Sequence, residues 1–154
     1  MSKYTDSIKN IPKPAMWLGI GGVLPFIFFD AYVLFGPPEW VQDVLDTMVG
    51  YGAVILSFLG GVLWGFALTH EKGVREGELT SLLVVSVFPP LIGWVALFVE
   101  PITGIVLMVV SFLGLLLVDW RFYRAGHSRN WYMGLRTLLT LCVVLCLGVA
   151  WVAA

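Results

Sequence analysis

From Gly50 to Thr69 the chain carries no charged side chain, and within that run small residues return at every fourth position: Ala53, Ser57, Gly61, Gly65 and Thr69. About 20 helical residues are what the roughly 30 Å hydrocarbon core of a bilayer requires. On a helix, residues four apart stand nearly above one another, so these five make a shallow packing groove that a neighbouring helix can approach closely. Lipid is as apolar as leucine, so close approach of this kind, not a hydrophobic drive, holds helices together in a membrane. A spacing of four winds the stripe about 40° around the helix per step, and neighbours are therefore expected to cross it at an angle. Trp64 flanks the groove from the adjoining row, together with Gly60.

The composition agrees with a chain built for lipid. Of 154 residues, 59% are hydrophobic and 12% charged, about half the charge of a soluble domain. So few polar side chains cannot cover the surface of a soluble domain of this length. The net charge of −1 excludes a basic nucleic-acid binder. The expected surroundings are the lipid bilayer and other membrane proteins as partners, with no nucleic acid.

Five runs are long enough to span: 14–35, interrupted by Pro25 and Asp30; 50–69; 79–99, with Pro89 and Pro90 at its middle; 102–118; and 130–154, broken by Arg136. No internal repeat or low-complexity tract appears. The expected fold is all-α, a single domain over 1–154 forming a polytopic membrane bundle of five transmembrane helices.

All nine Lys and Arg lie in three places: the tail with Lys3, Lys9 and Lys13; the loop with Lys72 and Arg75; and the stretch with Arg121, Arg124, Arg129 and Arg136. Five spans put these on one side of the membrane, and the positive-inside rule makes that side cytoplasmic, with the C-terminus periplasmic. The tail lacks the pattern of a signal or transit peptide, which points to a bacterial inner membrane. After Pro37 and Pro38, a good helix start, Trp40, Val41, Val44, Leu45 and Met48 follow helical spacing while Glu39, Gln42, Asp43 and Asp46 take the other face. A short interfacial helix after the first span is expected, anchored by Trp40.

Few residues inside the spans can do chemistry. Asp30 lies about 9 Å inside the outer boundary, sharing a face with Phe26, Val23 and Gly19. It either snorkels toward the headgroups, caps a backbone amide, or serves as a proton or cation site. Arg136 lies about 7 to 8 Å inside the cytoplasmic boundary, in the opposite half from Asp30; its expected partners are Asp119 or phosphate headgroups. Pro89 and Pro90 free the carbonyls of Val85 and Ser86, a helix break of the sort transporters use for binding and other membrane helices use only to bend; the Trp64 indole is a candidate donor to those carbonyls. His70 and His127 share the cytoplasmic side with Glu71, Glu76, Glu78 and Asp119, but no metal-ligand spacing is present, and no haem is expected because axial histidines would have to face each other. Cys142 and Cys146, one turn apart, are poorly placed for a disulfide and read as small core residues. No catalytic motif, phosphate loop or dinucleotide fingerprint occurs, so no cofactor, metal or catalytic residue is assigned.

The segments YGAVILSFLGGVLWGFAL (51–68), WLGIGGVLPF (17–26) and WYMGLRTLLT (131–140) together resemble the transmembrane protein 69-like family, a domain of unknown function numbered 3429. The resemblance spans most of the chain. It implies a five-span membrane protein of bacterial or mitochondrial origin and carries no biochemical activity.

Three classes of function are open. The first is a small integral membrane protein that packs against or assembles other membrane components, favoured by the small-residue groove and the scarcity of intramembrane polar groups. The second is a small-ion or proton-linked transporter using Asp30 and the Pro89–Pro90 break. The third is a lipid- or quinone-binding protein or enzyme with its site among His70, His127, Asp119 and the arginines.

Overall fold

A computed structural model of the chain describes residues 10–69, 76–125 and 130–154. They form five long helices and one short turn, with no strand among the described residues. Helix α1 spans Lys13–Phe35, a 3₁₀ turn spans Pro38–Trp40, and the remaining helices are α2 (Val41–Thr69), α3 (Glu76–Ala96), α4 (Pro101–Arg124) and α5 (Asn130–Ala153). Each contains a stretch long and apolar enough to cross a membrane. Large apolar side chains face outward, Leu18 at 77% and Phe58 at 68% exposure among them, while Asp119 and Arg136 are buried. That inversion suits lipid as the solvent.

Local chemistry sets the boundaries. Pro14 opens α1 where its missing N–H costs nothing. The helix ends as the Gly36 N–H donates to the Tyr32 carbonyl at 2.7 Å, at a place where a Cβ would meet that same oxygen at 2.6 Å, and Pro37 and Pro38 prevent its continuation. Helix α3 closes with i to i+3 bonds, the Leu97 N–H to the Trp94 carbonyl and the Phe98 N–H to the Val95 carbonyl, and Pro101 then starts α4. Arg121 and Arg124 sit in the last turn of α4, where cations complement the helix dipole.

Two details differ from expectation. The amphipathic stretch after Trp40 is helical, but it is the beginning of α2 and not a separate interfacial helix. Nothing between Val41 and Tyr51 breaks a helix, so 29 residues run on without interruption, about 43 Å at 1.5 Å per residue and longer than the hydrocarbon core. Nor do Pro89 and Pro90 break α3, which is helical through both. The prolines remove two donors without unwinding the backbone.

The helices divide into two compact units. One comprises Leu45–Ser111: most of α2, α3 and the start of α4. Here α2 and α3 are antiparallel, with Gly60 against Ser86 and Pro90, and Ala53 against Gly93. Helix α4 runs parallel to α2, with Gly104 against Val49 and Met108 against Gly52. The other unit comprises Met1–Val44 and Phe112–Ala154. In it α1 packs on α5, with Gly19 beside Leu135 and Leu139. The buried face of α1 is Val23, Phe26, Asp30 and Val33, the face that its spacing predicts.

Candidate functional site

The unit containing α1 and α5 holds a buried polar cluster. Asp119 falls on the inward row of α4 after Phe112 and Leu115, and Arg136 on the inward row of α5 between Met133 and Thr140. Arg136 Nε donates to Asp119 Oδ2 at 2.7 Å, and Arg136 Nη1 donates to Thr140 Oγ1 at 2.6 Å. The Tyr132 hydroxyl donates weakly to Asp119 Oδ1 at 3.5 Å. Arg136 is 5% exposed and Thr140 fully buried. Of the two partners that the sequence offers Arg136, the carboxylate of Asp119 is the one the structure places against it. Opposite charges so close neutralise each other, and removing either partner would strand the other in low dielectric. Arg136 Nη2 is buried with no partner among the described residues.

Asp30 is placed differently from its snorkelling expectation. At 8% exposure it is turned inward against α5, with the Cys146 thiol as its neighbour. Its Oδ1 has no partner among the described residues. Cys146 lies ten residues beyond Arg136 on α5, about 15 Å along the axis, so the structure does not bring Asp30 and Arg136 together. Cys142 and Cys146 are free thiols, and the described residues contain no cluster of three metal-ligating side chains.

In the other unit, the row of α2 that packs is not the row the fourfold spacing marks. Ala53 is buried, with its Cα 3.1 Å from where a Cβ on Gly93 would stand. From there the inward row passes through Leu56, Gly60, Leu63 and Ala67. A Cβ at Gly60 would lie 2.6 Å from the Ser86 carbonyl oxygen and 3.0 Å from Pro90 Cδ. At Gly61 and Gly65 an added Cβ would meet nothing within 4 Å. Ser57, also outward, returns its hydroxyl to the Ala53 carbonyl at 2.9 Å, as a helix serine does when it has no other partner. The helix turns 100° per residue, so a stripe that winds leaves the interface after one step while a mixed three- and four-residue row stays in it. Trp64 is 46% exposed. It is the backbone of Gly60, not the Trp64 indole, that faces the freed Ser86 carbonyl.

The tail residues Lys3, Asp6 and Lys9, the loop residues His70, Glu71, Lys72 and Arg75, His127 and Arg129, and the side chains of Thr69, Glu76 and Glu78 lie outside the described residues. The histidine-centred cluster falls among them. Thr140 and Cys146 were missed by sequence reasoning as partners. Thr140 stands one four-residue step from Arg136 on the same face, which is the signal that finds it; the approach of Cys146 to Asp30 depends on the register between α1 and α5.

The model of the family described as "Protein of unknown function (DUF3429)" matches residues 11–152. Two relatives are called Transmembrane protein 69. The one from Xenopus tropicalis is 35% identical over 140 residues, covering 90% of this chain and 53% of the relative. That from Mus musculus is 30% identical over 131 residues, covering 84% of this chain and 52% of the relative. The chain thus spans about half the length of these relatives. No solved structure matches it. With five apolar helices, these matches make it a multi-pass membrane protein.

Proposed function

We propose, for a chain that belongs to the DUF3429 family of proteins of unknown function, a structural or assembly role within its membrane, exercised by holding other membrane proteins against the outer face of α2. The observation that carries this reading is the contrast between neighbouring glycines. Gly60 serves the chain's own packing, whereas Gly61 and Gly65 leave open space beside the helix. Small residues let a second helix approach closely, and Ser57 and Trp64 border the same face. The known polar groups fit the reading as well, since the Asp119–Arg136 pair is consumed internally.

Native electrophoresis of membranes solubilised in mild detergent tests this. The wild-type chain is expected in a species larger than its 17.0 kDa mass plus detergent. Gly61→Leu should release it as a folded monomer, because the added side chain starts into open space beside the helix and blocks a partner there. A wild-type chain that migrates alone, or a Gly61→Leu variant that stays in the larger species, contradicts the reading.

A second reading, proton- or cation-linked transport, is favoured by the inward carboxylate of Asp30 with its partnerless Oδ1. We infer that the N-terminus is cytoplasmic and the C-terminus on the opposite side, on the distribution of Lys and Arg.

A further inference from the structure

We propose that the outer face of α4 from Leu113 to Arg124 binds one anionic phospholipid, its phosphate gripped by Arg121 and Arg124 and an acyl chain lying along Leu113 and Leu117. At 100° per residue, Leu113, Leu117, Trp120, Arg121 and Arg124 fall within a sector of about 100°. All five are exposed. They run in the order a lipid presents its parts: apolar, then aromatic, then cationic. From Leu113 to Arg124 the rise is about 16 Å, close to half of the roughly 30 Å hydrocarbon core. A lipid whose phosphate is level with the arginines therefore has its chain over the leucines.

Arg124 is held for such a ligand. Arg124 Cζ lies 4.1 Å from the centre of the Trp120 ring. The ring covers one side of the cation, and N–H groups turned from it are left to donate to phosphate oxygens. Tryptophan itself favours the headgroup level, so the stack holds the cation at the depth where phosphates lie.

Charge complementarity names the occupant. Across the described start of α1, end of α4 and start of α5, the one carboxylate is Asp119, which points away from the arginines' sector and is bound by Arg136. Register puts a third cation nearby in height. Gly19 lies beside Leu135 and Leu139, and Asp119 beside Arg136, which sets Lys13, Arg124 and Trp131 at one end of this unit. Lys13, Arg121 and Arg124 are all exposed. A zwitterionic headgroup brings its own cation and gains little here; an anionic one supplies the missing charge. The site lies on a different helix from the α2 face and does not depend on the assembly reading.

Native mass spectrometry of the purified full chain in detergent, titrated with phosphatidylglycerol or phosphatidylcholine of identical chains, tests the site. Two interfacial arginines correspond to a preference of roughly thirtyfold for the anionic lipid. The Arg121→Gln/Arg124→Gln variant should lose that preference while its thermal unfolding is unchanged, and Arg121→Lys/Arg124→Lys should keep most of it. Equal binding of the two lipids by the wild type, or full preference in the glutamine variant, overturns the proposal. So does displacement of the lipid by excess inorganic phosphate, which would mark a site for the free anion.

Discussion

Gly60 stands face to face with the carbonyl of Ser86, so near that a Cβ in place of its hydrogen would lie 2.6 Å from the oxygen. Pro90 has no N–H to give that carbonyl, and the Gly60 Cα–H points at it instead, a contact of about 0.5–1 kcal/mol. The proline that removes the intrahelical donor and the glycine that lets α2 come near are thus one device. The obstacle is backbone and cannot swing aside. Gly60→Ala should therefore lose roughly 1–2 kcal/mol, the overpacking cost exceeding the gain in helix propensity. Gly61→Ala, with open space beside it, should be neutral or gain up to about 1 kcal/mol. Unfolding in mixed micelles measures both, and equal effects at the two positions would refute the assignment of inner and outer rows.

The Asp119–Arg136 pair should behave as a buried unit. Arg136→Leu or Asp119→Leu alone should cost about 3–5 kcal/mol, since each leaves a buried charge without its partner. The double variant should cost less than the sum of the two, and added salt should change none of these values appreciably, because the pair is shielded from ions. A double-mutant cycle with no coupling would contradict the geometry. Thr140→Val should cost about 1–3 kcal/mol through the orphaned Nη1.

Asp30 is a carboxylate held inward at a cost. Asp30→Asn keeps the shape, and Asp30→Leu removes the partnerless oxygen; the latter should stabilise the fold by roughly 1–3 kcal/mol. Proton or cation flux into vesicles separates structure from function. Unchanged flux in Asp30→Asn eliminates the transport reading, whereas flux lost in a stabilised protein would establish it over assembly.

Much of the fold was legible because each span is a long apolar run with at most one charged residue inside it and each boundary has a proline, a glycine or a charge cluster beside it. The inward face of α1 could be read from Asp30, Phe26 and Val23, and Asp119 could be named as a partner for Arg136 from chain order alone. The inner row of α2 could not. Gly60 and Gly61 are adjacent and chemically identical, and which of them faces a neighbour is decided by where α3 lies, a tertiary fact. Likewise the continuity of α3 through Pro89 and Pro90 depends on what meets the freed carbonyl, and no residue within α3 supplies that.

Topology has its own test. An enzyme reporter that is active only outside the cytoplasm, fused after Ala154, should be active, while the same reporter fused within the Lys72–Arg75 loop should be silent. The reverse pattern would invert the proposed orientation.

The outer face of α2 is proposed to meet another membrane protein. A photo-reactive amino acid placed at Gly61, with one at Leu145 on the exposed face of α5 (69% exposed) as the lipid-facing comparison, measures this in intact membranes. Discrete protein adducts are expected from position 61 and only lipid or solvent products from position 145. No protein adduct at 61, or the same adducts at both positions, would contradict it.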